Sequence, residues 1–441
     1  MKDFTDSAAG RIKYQFNTCE QAMRSVLHGL FAPHLVPPDR TLADFYRAHK
    51  NCGSKDRAFI NLCVYAVLRR WGWLRVLMPE NVRNSIENGC IDLARRDLSA
   101  MTGFSLICDG ADKKIIREVL GVAGIENISF TGDNSLLRAE EASEMFGKRT
   151  VFNYDMLAPD FRHLVPADWD YSGYMQRLAQ RPALWIRFAS DNGRKETISE
   201  LQEKGIVFQE YNEYSASISS SGVNLSAFNA FQKGAFEVQD LASQCVGLVC
   251  APAAGERWYD ACAGAGGKTL HLASLMSGKG SITSGDIRAN ALESLKKRSR
   301  RAGWSNIMTR PHDGGKWKGK HQFDGVLVDA PCSGSGVWRR NAALQWRLSE
   351  KDISDFAERQ LTILENNACA VKPGGVLVYA TCSIFEMENE GVARKFLERN
   401  PDFSAENFAH PLTGATCRGA MRAGCGVADC DELFAFKMRR K

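Results

Sequence analysis

The chain has 441 residues, 44% of them apolar, and a formal net charge of +6 at pH 7. That length exceeds one ordinary domain and predicts two or three, with enough apolar side chains for sizeable cores. The charge is too mild to argue nucleic-acid binding from bulk composition, so any such role has to be read from local clusters.

The opening MKDFTDSAAGRIKYQF carries no apolar run, which predicts a chain without a secretory signal and a cytoplasmic location. Fourteen cysteines with no CxxC pair then predict reduced thiols. Cys417, Cys425 and Cys430 stand at spacings unlike those of zinc sites, so no metal is expected. Residues 1–150 read as helical, because Cys19–Phe31 and Ala58–Leu77 show apolar residues at three- and four-residue steps. Pro37-Pro38 suits a turn before a further helix. The longest apolar stretch, FINLCVYAVLRRWGWLRVLM, is broken by Arg69, Arg70 and Arg75. It predicts an amphipathic helix packed in a domain, not a membrane span.

From about 183 the texture changes. ALWIRFA and ASISSSG read as strands around a helical ETISELQEKG, with Gly205 as its C-cap, and this smaller unit closes near AFEVQD. The boundaries predicted are 1–150 for an all-α domain, 151–238 for a small α+β connecting domain, and 239–441 for the catalytic domain. In that last part strand, turn and helix alternate. RWYDACAGAGG leads into KTLHLASLMSG, SITSGD leads into IRANALESLKKRSRRAG, and FDGVLVDAPC and GGVLVYATCS are two further strand runs. Such alternation predicts an α/β doubly wound, Rossmann-like parallel sheet that binds ligands beyond the carboxyl ends of its strands.

Three kinds of Gly-rich turn compete for DACAGAGGKT. A P-loop needs a glycine where this chain has Cys262, although Gly267-Lys268-Thr269 supplies its tail. A dinucleotide fingerprint starting at Gly264 and Gly266 would need its third glycine at Thr269. The third kind lets backbone approach the amino-acid end of S-adenosylmethionine, with a carboxylate at the next strand end accepting the ribose hydroxyls. Asp286 stands at that end and Asp313 at the one after, although a strand-end Asp also commonly caps the following helix. Two successive carboxylates favour a methyl-donor site.

DAPCSGSG and YATCSIFEMENE place Cys332 and Cys382 just past two strands that neighbour each other in a methyltransferase sheet. A single cysteine is usually a small buried hydrophobe. Two beside a methyl donor suit one chemistry: a thiolate adds to C6 of a pyrimidine and makes C5 nucleophilic. Asp329 is placed to hold or share the N3 proton. Chemistry alone leaves open which thiol attacks.

DACAGAGGKT, FDGVLVDAPCSGSGVWRR, GGVLVYATCS and the following ENE resemble the motifs of the Sun/Nop family of RNA cytosine-5 methyltransferases, and AFEVQDLASQ resembles that family's entry segment. SKDRAFINLCVYAVLRR resembles the NusB-like RNA-binding domain of the family's bacterial ribosomal RNA members. The resemblance implies that Cys382 is the nucleophile and Cys332 assists product release. It also implies that Cys262, Ala263, Gly264, Ala265, Gly266, Gly267 and Lys268, with Asp286, Asp313 and Asp329, hold S-adenosylmethionine. The family pattern has proline where this chain has Ala265, an acidic residue at Arg288, arginine at Gly315 and Pro-Asp at Ala342-Ala343. DELFAFKMRR only approximates the usual final strand.

The substrate implied is RNA, foremost ribosomal RNA, acted on by a monomer. Transfer RNA, or a non-catalytic assembly role on the same fold, stays open. KKRSRR at 296–301 reads equally as a solvated helix face or an RNA contact. GGKWKGK at 314–320 suits phosphate contact with base stacking, and Arg339, Arg340 and Arg347 suit the backbone of a bound strand.

Overall fold

The computed structural model describes residues 5–32, 34–126, 130–219, 223–312, 317, 319, 321–424 and 426–441, with 5–14 as backbone only. Asp313, Gly315, Cys425 and most of GGKWKGK therefore lie outside the described residues. The chain forms two compact units. The first is built of residues 1–161, 170–181 and 338–348, the second of 162–169, 182–337 and 349–441.

The first unit is helical, as the three- and four-residue apolar steps require. Its helices include Thr5–Phe31, Pro38–Ala48, Ser54–Arg69, Trp71–Leu77 and Arg95–Cys108. Leu27, Ile60, Trp71, Trp73 and Phe104 are fully buried at its centre. The stretch expected as one amphipathic helix is two, parted at Arg70. Arg69 and Arg70 point inward and both pair with the buried Asp109 at 2.9 Å, because a charge leaves water only with a partner. No helix among the described residues is long and apolar enough to cross a membrane.

Residues 338–348 are an unexpected part of this unit. Trp338 is 2% exposed, with its ring 6.0 Å from that of Phe161 and 6.3 Å from that of Tyr174. Arg339 is buried and donates to the Arg181 carbonyl (3.0 Å), Gln345 donates to that of Leu157 (3.1 Å) and Arg347 to that of Ala32 (3.1 Å). Arg339 and Arg347, expected to grip RNA, each donate to a loop carbonyl of this unit.

The second unit opens with β1 (Leu184–Phe188), β2 (Phe208–Asn212), β3 (Ser215–Ile218) and β4 (Phe236–Val238), an antiparallel sheet of order β2-β3-β1-β4. The stretch 151–238 is accordingly divided between the units, since Trp185 of β1 is buried in the core of the large sheet. That sheet contains β5 (Arg257–Asp260), β6 (Ser281–Asp286), β7 (Ile307–Pro311), β8 (Phe323–Asp329), β9 (Val371–Thr381), β10 (Phe403–Ala405), β13 (Ala420–Ala423) and β14 (Leu433–Arg440). The small ribbon β11 (Asn407–Ala409) and β12 (Thr416–Arg418) stands apart.

The order is β10-β14-β9-β8-β5-β6-β7, with β13 paired to β14. β5 to β9 are parallel, whereas β14 runs antiparallel to β9. Successive residues bury on opposite faces. Trp258, Leu327, Val378 and Ala380 pack on one side, and Tyr259, Val326, Val328, Leu377 and Tyr379 on the other. The chain winds from β5 to β7 in one direction and from β8 to β9 in the other. The order therefore reverses between β5 and β8, where such sheets open a crevice.

Trp338→Ala tests whether 338–348 is integral to the helical unit. Removing a buried Trp costs about 3–5 kcal/mol, so the urea midpoint of the full chain, followed by circular dichroism of the helices, should fall. An unchanged midpoint would make the segment a passive loop.

Candidate active site

β5 ends in Asp260, and the Gly-rich turn begins there. Ala261 N–H donates to the Leu327 carbonyl (2.9 Å) and Ala263 N–H to that of Gly285 (2.8 Å), so the turn is laced to β8 and β6. Gly264 (φ +54°) and Gly266 (φ +87°) take left-handed backbone, which disfavours any Cβ. A Cβ on Gly266 would lie 2.5 Å from Leu295 Cγ, so this glycine also lets the helix Ala289–Arg301 close on the turn. The helix Gly267–Leu275 starts at once, and its Thr269 hydroxyl donates to Asp260 (2.7 Å). Burial raises the Asp260 carboxyl to about 7.

Asp286 ends β6 and is nearly buried. Its Oδ2 accepts from Gly264 N–H (2.8 Å), and its Oδ1 from Arg288 N–H (2.8 Å) and Nε (3.1 Å). Burial alone would raise this carboxyl, but the bonds from Arg288 and Gly264 outweigh it and hold it below the ordinary range. Asp286 thus ties the turn to β6. It does not act as the N-cap of the next helix, a position held by Arg288.

Across the crevice, Lys268 Nζ meets Asp329 Oδ2 at 2.7 Å. Burial pulls the lysine down, yet the Asp329 carboxylate more than compensates and keeps its pKa above the ordinary value. The Cys382 charge adds to that shift, so Lys268 also feels the second cysteine loop. Cys332 Sγ and Cys382 Sγ are 3.2 Å apart. The bond to Cys382, with burial next, pushes the Cys332 thiol well up, which keeps it protonated. Gly336 permits this meeting: its N–H donates to the Cys382 carbonyl (2.8 Å), and a Cβ there would lie 2.0 Å from the Glu432 carbonyl.

The residues Cys262 to Lys268, Asp286, Asp329, Cys332 and Cys382 are therefore gathered at the carboxyl ends of β5, β6, β8 and β9. Burial, with the charges of Asp260, Asp329 and Asp286, raises the Cys262 thiol. The expected RNA contacts fare differently. Arg298 pairs with the buried Glu237 at 2.9 Å and Arg301 binds the same carboxylate, so two of the five basic residues in the run hold β4. Trp317 is half-buried, with its ring 4.5 Å from that of Tyr259, and it donates to Gln322 (3.1 Å). One site residue was passed over. Glu388 is fully buried between the cysteine loops, and its only signal was membership of the ENE triplet.

A parallel sheet that reverses order at a Gly-rich turn, with acidic side chains at its strand ends, is a frame for a nucleoside-bearing ligand and fits the class I methyltransferase fold. The family profile described as 16S rRNA methyltransferase RsmB/F matches residues 247–435. The ribosomal RNA small subunit methyltransferase B of Cronobacter sakazakii is 31% identical over 345 residues, 74% of this chain and 77% of that one. The protein of the same name from Salmonella newport is 30% identical over 58% of this chain and 60% of its own. The chain belongs to the RsmB/F family of rRNA methyltransferases. Among solved structures, PH0851 superposes with a TM-score of 0.72 at 22% identity, covering 95% of this chain and 98% of that one. NSun6 from Pyrococcus horikoshii, solved with SFG, gives 0.52 at 21% identity over 59% of this chain and 91% of its own. Both agree with the fold described above.

The raised Cys332 thiol has a measurable signature. Its alkylation by iodoacetamide, followed by peptide mass spectrometry, should keep accelerating above the ordinary thiol pKa of about 8.5, because its thiolate fraction is still growing there. A rate that levels off near that value would show an unperturbed thiol.

Proposed function

We propose that this protein transfers a methyl group from S-adenosylmethionine to C5 of a cytosine in RNA, through a covalent bond between Cys382 and C6. The observation that carries the reading is the pair of thiols 3.2 Å apart beside the Gly-rich turn. Methyl transfer to an amine uses no such nucleophile. A carbon as weakly nucleophilic as cytosine C5 requires one.

The turn suits the cofactor. Gly264 and Gly266 present bare backbone, Asp286 offers a carboxylate to the ribose hydroxyls, and the buried Asp260 Oδ1 has no hydrogen-bond partner among the described residues. The Arg288 side chain lies over Asp286 but is 66% exposed, so it can turn outward to admit a diol. Cys262 to Lys268, Asp286 and Asp329 would hold the cofactor, as would Asp313 by the family pattern. When bound, S-adenosylmethionine supplies an electrophilic methyl group for C5.

The protein does the rest. A base inside a helix is out of reach, so the target is unpaired or flipped into the crevice. Cys332, its thiol held protonated, lies 3.2 Å from the Cys382 sulfur. Cys382 adds to C6 while Asp329, steadied by Lys268, holds or shares the N3 proton. After methyl transfer the C5 proton passes to solvent, its electron pair re-forms the C5–C6 double bond, and the C6–S bond breaks with its pair going to the Cys382 sulfur. The departing Cys382 sulfur finds the Cys332 S–H within reach, which is how the second thiol assists release. The helical unit, NusB-like by its sequence, adds affinity and register for ribosomal RNA, and the protein works as a cytoplasmic monomer. Bisulfite sequencing of RNA from cells with and without the protein tests the whole reading. A new 5-methylcytosine in ribosomal RNA is expected, whereas one in transfer RNA would redirect the substrate and none would end it.

Two variants separate the thiols. Cys382→Ala should give neither methylation nor adduct. Cys332→Ala should accumulate a methylated protein–RNA adduct that survives a denaturing gel. The reverse pattern would exchange the roles.

Asp286→Ala should weaken cofactor binding by roughly 1.5–3 kcal/mol, the scale of a hydrogen bond to a charged group. Calorimetry showing unchanged affinity would remove Asp286 from the site.

A further inference from the structure

The Glu388 carboxyl is fully buried, and a carboxylate there needs donors on both oxygens. Oε1 accepts from the Ser333 backbone N–H (2.9 Å) and from Gln360 Nε2 (2.8 Å). Oε2 accepts from the Ser333 hydroxyl and the Ser383 hydroxyl, each at 2.5 Å. Ser333 follows Cys332 and Ser383 follows Cys382. One carboxylate therefore holds the residue after each cysteine.

The surroundings reinforce that grip. Gln360 also donates to the Pro331 carbonyl (3.0 Å), just before Cys332. The Ser335 hydroxyl lies 3.2 Å from that of Ser383 and accepts from the Ile384 N–H (3.0 Å). From behind, the Tyr379 hydroxyl donates to the Glu388 carbonyl (2.5 Å), and Asn389 donates to the Ser383 carbonyl (2.8 Å). These bonds reach the groups flanking the thiols, not the sulfurs.

We propose that Glu388 is the positioning residue that locks the two cysteine loops together, so that both sulfurs face one base. The proposal rests on the covalent reading given above and names what holds its two thiols in register. The Glu388 charge has a second effect, since it adds to the influences keeping Cys332 protonated. Glutamine at 388 would turn an amide NH₂ toward groups that are themselves donors, and the clamp would open on one side.

An arsenical reads the sulfur geometry without RNA or cofactor. Phenylarsine oxide bridges two close thiols: its arsenic exchanges one oxygen for two sulfurs and releases one water. It is titrated into the purified full chain, with Cys332→Ala as the baseline for the remaining cysteines. The unsubstituted protein should capture one equivalent above that baseline. Glu388→Gln should lose about tenfold or more of that affinity, the scale of one hydrogen bond to a charged group. Affinity for S-adenosylmethionine, measured by calorimetry, should stay the same, which general loosening of the fold would not allow. The double variant Ser333→Ala/Ser383→Ala keeps the carboxylate and cuts two of its bridges, so it should show the same loss even if Glu388→Gln fails to fold. Capture at full affinity by whichever variants fold, or no capture by the unsubstituted protein, would overturn the proposal. Capture that depends on Glu388 without any RNA adduct would leave the clamp standing and refute the reaction.

Discussion

The parallel pairing of β8 with β9 is the constraint on which the site depends. Its register sets Asp329 opposite Ala380, so the two strands end side by side and their cysteines follow within a few residues. A one-residue slip would turn every side chain of one strand to the other face of the sheet. The register is pinned because both faces are buried: Val326 and Val328 lie in one core, Leu327 in the other. The register thus brings the two cysteines to one rim, and the bonds of Glu388 then hold the loops that carry them.

Around that pair the protein places its charges economically. Lys268 and Asp329 neutralise each other across the crevice, and Asp286 is bonded to the turn it serves. None of the departures from the family pattern falls on Cys332, Cys382, Asp286 or Asp329. Arg288 covers the carboxylate that an acidic neighbour would leave open. Ala343, where the family has Asp, sits at φ +74°, a conformation that Asp tolerates better than Ala.

Local features were legible in the sequence. The strands, the turn glycines and both cysteines were readable because each is announced by its neighbours, through apolar runs, Gly spacing and a strand end. The structure brings Cys332, Cys382, Asp286 and Asp329 to one crevice as those signals implied. Side chains whose partners lie far along the chain were not readable. Arg347 bonds residue 32, Trp317 packs on Tyr259, and Arg298 and Arg301 converge on Glu237. An arginine in a basic run looks the same whether it meets phosphate or a buried carboxylate sixty residues earlier. Glu388 was hidden for a related reason, since four donors from three segments converge on it.

The placement of Trp338 also bears on how the molecule is made. A ribosome delivers a chain from its amino end, and domains ordinarily fold as they emerge. The helical unit cannot complete itself that way, because its last piece, residues 338–348, is synthesised after the Gly-rich turn and the first four strands of the large sheet. Until then the pocket by Phe161 and Tyr174 lacks its indole, and the nascent helices carry open apolar surface. Assembly of the helical unit must wait for roughly three-quarters of the chain, and loop closure over that distance slows its final step. The amino-terminal unit is first to be born and among the last to be finished.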